Sequence, residues 1–274
     1  MRKKYSYYYV VWLFLLTIVI CGCIYLGKKI EIQINTENMA DAEVETDITT
    51  KDGEEEKEEI EQISPVSKEN NEAEKVFEFS LIPEYSGEAY VVVNDNVPFF
   101  TDEDMVTTSY EFYSRLDELG RCGVCVASVG TDIMPETDRE GIGNVKPSGW
   151  NQAKYPEVVN GNYLYNRCHL IGFQLTGEND NKSNLITGTR YLNIEGMLAF
   201  ENMIADYVKE TGNHVMYRVT PIFENDNLLA SGVLIEAKSV EDDGEDVLFC
   251  VYCYNVQPGV LINYEDGSSS LEIK

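Results

Sequence analysis

His169 is one of only two histidines in 274 residues, and it sits in Tyr165-Asn166-Arg167-Cys168-His169-Leu170-Ile171-Gly172. An imidazole takes a proton from water near neutral pH, and a guanidinium two positions earlier grips a phosphate in bidentate fashion. Together they suit hydrolysis of a phosphodiester. The strand-like run Tyr163, Leu164, Tyr165 delivers the pair, and a second apolar run (Leu170, Ile171, Phe173) follows at once. Local chemistry leaves two readings open, because a lone histidine in an apolar strand also serves as an ordinary core residue.

About two dozen residues on, Ile194, Met197, Leu198, Ile204, Ala205 and Val208 recur at three- and four-residue steps. That spacing predicts an amphipathic helix with an apolar stripe facing a core. Glu201 falls in the middle of the stripe, and Asn193 lies on the same side, two steps of four away. A carboxylate among apolar residues is costly unless it is paired or serves a cation. The other reading places Glu201 at the edge of the buried face. A histidine on a strand, followed by a helix with Asn and Glu on its inner side, suits a one-metal site. Oxygen ligands of this kind favour a hard cation such as magnesium, held largely through its own waters.

Asn166-Arg167-Cys168-His169 resembles the Asp-Arg-Gly-His motif of the DNA/RNA non-specific endonucleases, the ββα-metal (His-Me finger) nucleases. The closer resemblance is to membrane-anchored DNA-entry nucleases of Gram-positive bacteria. It runs from about Tyr85 to Tyr264. Its ordered matches include Leu119-Gly120-Arg121, Pro147-Ser148-Gly149-Trp150, Arg167 to Leu175, Asn184 to Arg190, Tyr217 to Pro221 and Asn255 to Gly259. The resemblance implies that His169 is the general base and that Asn193 is the one direct protein ligand of magnesium, with manganese as a substitute. It implies that Glu201 orients the metal's water shell, that Arg167 and Arg139 grip phosphate, and that Asn184 supports the metal-binding segment. Asn166 stands where most relatives carry Asp, so this chain keeps the shape of that side chain and loses its charge. His214, in Gly212-Asn213-His214-Val215, reads as structural.

The elements that must position these residues begin after a long leader. Met1-Arg2-Lys3-Lys4 belong to a predicted cytoplasmic stub, residues 1–6. The apolar run from Tyr7 to about Leu26, followed by Lys28-Lys29, predicts a transmembrane anchor over 7–27 with the remainder outside the cell. Ile20-Cys21-Gly22-Cys23 outlines a lipobox, so lipoprotein anchoring at Cys23 is the alternative. Residues 28–75 read as an acidic linker: from 37 to 75 there are 15 Asp/Glu against 4 Lys/Arg and no aromatic residue, which predicts an extended, self-repelling tether. Residues 76–274 are long enough for one domain with a core. Strands are expected at Ala89–Val93, Gly123–Val129, Val215–Phe223, Leu228–Lys238 and Asp246–Asn255, and helices at Tyr110–Leu119 and after Leu192. The mixture predicts an α+β fold, an antiparallel sheet with packed helices and a ββα-metal motif.

From Val76 onward the chain holds 32 acidic and 12 basic residues. That excess opposes a broad electrostatic grip on nucleic acid, which normally rests on basic surface, so substrate contact must rely on local arginines and the metal. Cys122-Gly-Val-Cys125 and Cys250-Val-Tyr-Cys253 have metal-ribbon spacing. Both lie in strand patterns, where residues three apart face opposite ways and cannot converge on one ion. They read as buried free thiols, with a cross-strand disulfide the alternative in an oxidising exterior. The chemistry expected is cleavage of DNA, with RNA as a second substrate, without strong sequence preference. The alternative is a catalytically weak surface module that binds nucleic acid.

Overall fold

The computed structural model describes Phe79 and residues 82–273. The cytoplasmic stub (1–6), the anchor (7–27), the acidic linker (28–75) and the first residues of the 76–274 domain lie outside the described residues. Among the described residues no helix is long and apolar enough to cross a membrane.

The chain runs β1 (Tyr90–Val92), β2 (Tyr110–Tyr113), β3 (Cys125–Val129), β4 (Tyr165–His169), α1 (Phe173–Thr176) and β5 (Leu185–Thr189). A π-helical turn (Leu192–Met197) then leads into α2 (Leu198–Thr211), followed by β6 (Val215–Ile222), β7 (Gly232–Ser239), β8 (Leu248–Tyr254), β9 (Val260–Ile262) and β10 (Ser269–Leu271). Six strands form one antiparallel sheet in the order β1-β8-β7-β6-β3-β2, while β4 pairs with β5 and β9 with β10. The α+β expectation, with an antiparallel sheet and few helices, describes this architecture.

Alternation along the long strands divides the core. Val215, Tyr217 and Val219 of β6, Val233, Ile235 and Ala237 of β7, and Phe249, Val251 and Cys253 of β8 face one way, where Ile204, Ala205 and Val208 of α2 cover them. Leu234, Cys250, Tyr252 and Tyr254 face the other way, against Ile82, Tyr85 and Phe99. This is the period-two pattern of a sheet covered on both faces. On the second face Arg218 meets Glu236 through two hydrogen bonds of 2.7 and 2.8 Å. The same carboxylate accepts from the Phe99 backbone N–H. A buried charge is tolerated because it is paired in this way.

Three expectations change. Tyr110–Leu119 is not a helix: Tyr110–Tyr113 is an edge strand paired to β3, in keeping with the strand preference of Tyr and Phe. Asp117 then caps a turn by accepting from the backbone N–H groups of Leu119 and Arg121. The strand expected from Leu228 begins only at Gly232, because Leu228 and Leu229 pack into a separate cluster with Tyr165 and Val260. The helix after Leu192 opens with a π turn before it becomes regular. Of the two readings of the cysteines, the structure has the thiols: Cys122, Cys125, Cys168, Cys250 and Cys253 are all free and buried. Cys250 and Cys253 lie on opposite faces of β8, as their spacing requires.

Candidate active site

β4 and β5 form an antiparallel hairpin in which His169 stands opposite Leu185 and Asn166 opposite Gly188. The chain then enters the π turn and α2, so that two strands and a helix enclose the site. Asn184, fully buried, fastens the hairpin's open end. Its Oδ1 accepts from the Ile171 N–H at 2.8 Å, and its Nδ2 donates to the Ile171 carbonyl at 2.9 Å. Its own carbonyl accepts from Leu170. One amide thus replaces a missing stretch of ladder immediately after His169. Asn184→Ala would leave the Ile171 N–H and C=O unpaired in a dry core, at about 1–3 kcal/mol each. The expected result is a stability loss of about 2–5 kcal/mol in a denaturant titration, and wild-type stability would remove Asn184 from this role.

His169 is only 7% exposed. α1 ends at Gly177, whose φ of +71° turns the chain back. The Asn179 carbonyl comes within 2.7 Å of His169 Nε2. A carbonyl only accepts, so the imidazole proton resides on Nε2 and the basic lone pair on Nδ1. Arg139 Nη2 approaches Nδ1 at 3.4 Å. Burial and the Arg139 charge together push the His169 pKa down to about 4, so the ring is neutral at pH 7, with its Nδ1 lone pair turned to the Arg139 guanidinium.

Glu201 is buried against Gly172, three residues beyond His169. A side chain at position 172 would place its Cβ 2.6 Å from Glu201 Oε2 and displace that carboxylate, so glycine here lets Glu201 take its place beside the hairpin. Burial raises the Glu201 pKa to about 7, while the Gln174 amide and the Arg139 guanidinium oppose the shift. Arg139 is a surface residue whose guanidinium turns inward, where desolvation lowers its pKa and the Glu201 charge opposes that shift. The Asn193 Oδ1 accepts from the Cys168 thiol at 3.1 Å. Cys168 also touches the sulfur of Met197 at 3.5 Å. Asn193, Met197 and Glu201 therefore share one side of the helix, as their four-residue spacing predicts. The π turn that carries Asn193 is a feature often found at functional sites.

Asn193, Glu201, His169 and Arg139 are thus brought together around Cys168 and Gly172. Arg167 is placed differently. Its Nε donates to the Val145 carbonyl at 2.5 Å and its Nη2 to the Gly143 carbonyl at 2.6 Å. Its guanidinium lies 4.3 Å from the Trp150 ring centroid. It holds the 143–150 loop beside the site, and the guanidinium that reaches the imidazole is Arg139. Asn166 is half-buried on the strand face of Cys168. His214 is remote: its Nδ1 and backbone N–H both bind the Glu241 carboxylate at 2.7 Å. Asn179, Gln174 and Gly172 escaped sequence reading, since each acts across a tertiary contact. Only the glycine so soon after the histidine strand hinted at a close approach.

The donor set fits a hydrated hard cation. It offers one amide oxygen and one buried carboxylate, and among the described residues no cluster of three His, Cys, Asp or Glu side chains could hold an ion alone. A buried carboxylate lacking an ion-pair partner within contact distance gains from a nearby cation, and few protein oxygens with many waters suit magnesium.

Comparison with known proteins accords with this geometry. The model of the DNA/RNA non-specific endonuclease family matches residues 102–241, a span that contains every residue of the site. NucA from Streptococcus agalactiae, solved with no metal bound, superposes with a TM-score of 0.61 at 24% identity, covering 71% of this chain and 92% of that one. The same protein solved with a magnesium ion gives a TM-score of 0.59 at 24% identity, covering 66% and 86%. The Sda1 nuclease, solved with a bound zinc ion, gives 0.53 at 29% identity, covering 62% and 82%. No curated protein matches the sequence. With the family model covering more than half its length, the chain is a nuclease that belongs to the DNA/RNA non-specific endonuclease family.

Proposed function

We propose that this nuclease is a metal-dependent endonuclease that cuts DNA, with RNA as a second substrate, outside the cell from a membrane tether. The observation that carries the mechanism is the pinning of His169. With Nε2–H held by the Asn179 carbonyl, Nδ1 is the one place where the ring can accept a proton, and at pH 7 it is unprotonated. His169 takes the proton of the attacking water as the water adds to the scissile phosphorus. Arg139, beside that nitrogen, would meet the phosphate oxygens of a bound substrate. Asn193 and Glu201 would hold a divalent cation, magnesium, the former through its amide oxygen and the latter by orienting coordinated water. When bound, the cation supplies charge stabilisation at the phosphate and at the leaving 3′ oxygen. Arg167 orders the loop bordering the site and supplies a second phosphate-facing cation. The tether rests on the sequence alone: the basic stub, the apolar run over 7–27 and the acidic stretch over 28–75.

The test is incubation of the full-length chain with plasmid and magnesium, with and without EDTA. Nicking that EDTA abolishes is expected. Intact plasmid with retained DNA binding would instead support a binding module. Asn166→Asp restores the family carboxylate and adds a negative charge near His169, which favours the protonated ring. The acid limb of the pH–rate profile should therefore move upward. An unmoved limb would place the Asn166 side chain outside the field of the base.

A further inference from the structure

Charge is distributed very unevenly in this acidic domain. Between Gly141 and Ile194 there are five basic residues (Lys146, Lys154, Arg167, Lys182, Arg190) against three acidic ones (Glu157, Glu178, Asp180). The domain as a whole has 32 acidic and 12 basic residues from Val76 onward, so this is a local positive island. Within it the fold brings three residues together at the end of the hairpin opposite Leu185. The Arg190 N–H donates to the Leu164 carbonyl, fixing Arg190 beside the entry to β4. The loop between Tyr155 and Leu164 packs against the Nε edge of the guanidinium: a Cβ at Gly161 would lie 3.2 Å from Arg190 Nε, while the residue as a whole stays partly exposed. That Nε is buried and has no hydrogen-bond partner. Lys154 bridges to Tyr163, and its ammonium stands 4.5 Å from the centre of the Tyr163 ring, which is itself 46% exposed. Neither Lys154 nor Arg190 has an ion-pair partner among the described residues, whereas Arg121, Arg218 and Lys238 are each paired.

We propose that Lys154, Tyr163 and Arg190 form a second nucleic-acid contact, gripping phosphates of the substrate strand away from the scissile one. The inference rests on the nuclease reading above. A guanidinium and an ammonium bind phosphate oxygens, and an exposed ring offers a face to a base. Six residues separate Tyr163 from His169, so the two lie at most roughly 20 Å apart, a span that a duplex covers in about six base pairs. Arg190 is also only three residues from Asn193. A polyanion can therefore engage the reaction centre and this patch together, while the acidic remainder of the domain keeps it from binding elsewhere. The sequence-wide excess of acid is consistent with nucleic-acid binding once the charge is resolved in space.

The experiment measures anisotropy of a fluorescent 30-base-pair duplex against the full-length chain in EDTA, where no turnover is needed. Each phosphate contact contributes about 0.9 to the slope of log affinity against log salt. The Lys154→Gln/Arg190→Gln pair should lower that slope by about 1.8 and weaken Kd roughly tenfold at about 0.15 M salt. Arg190→Lys should restore most of the lost slope in the Lys154 wild-type background, and Lys209→Gln, a change of the same charge on α2, should have no effect. Lys154→Gln alone, at an exposed side chain, serves if the double variant misfolds, with a slope change of about 0.9. Unchanged slope and Kd would overturn the proposal, as would an equal loss in Lys209→Gln or no binding by the wild type. Failure of the nuclease reading shows separately, as intact plasmid in the magnesium assay.

Discussion

His169→Ala is expected to lower turnover by roughly 10²–10⁴-fold, the usual contribution of a general base. His214→Ala should leave it nearly unchanged, because His214 is engaged by Glu241 far from the site. The pH dependence follows from the same geometry. The His169 pKa is pushed down to about 4, so the basic form persists well below the 6.5 of a free imidazole. The rate should therefore hold as pH falls through 6.5 and decline only as it approaches about 4, where Nδ1 takes up a proton and the base is lost. A plot of kcat against pH at saturating magnesium checks this. An acid limb near 6.5 would mean that the base is not the buried ring, and a larger loss in His214→Ala at equal folded fraction would transfer the role.

The difference between what the sequence conveyed and what it hid is physical. β6 and β8 were legible because one face meets α2 and the other meets the segment from Ile82 to Phe99, each with its own alternating set. β5 was not, since all five of its residues are buried and no alternation marks it. Tyr110–Tyr113 carries a pattern that reads equally as a helical stripe, and only its pairing with β3 decides for strand. Among site residues, His169, Asn193 and Glu201 stood out because a polar group in an apolar pattern requires a reason. The partners that make them function were invisible. The Asn179 carbonyl sets the tautomer from ten residues away, and Gln174 and Arg139 tune Glu201 through folded proximity. Arg167 shows the same limit: its spacing to His169 suggested phosphate, while its bonds to the Val145 and Gly143 carbonyls, which order the neighbouring loop, had no signature in the sequence.

Asn193→Ala should abolish cleavage in a way that high magnesium does not restore, because it removes the proposed direct ligand while Cys168 and Met197 keep the helix packed. Glu201→Gln should behave differently. The carboxylate is not a direct ligand in this scheme, so activity should recover as magnesium rises, with affinity reduced about 10–100-fold, as is usual for groups that orient metal-bound water. The two variants also differ in proton linkage. Burial raises the Glu201 pKa to about 7, so below that pH the metal-free protein holds a proton there. Cation binding favours the anion, so the proton must leave. Wild-type magnesium affinity should therefore fall as pH drops below about 7, approaching tenfold per unit for one released proton. Isothermal titration in buffers of different ionisation enthalpy measures that proton directly. Glu201→Gln should release none, whereas Asn193→Ala, which retains the carboxylate, should lose most of its magnesium binding. Normal binding in Asn193→Ala would move the ligand elsewhere, and unchanged proton release in Glu201→Gln would assign the titrating group to another side chain.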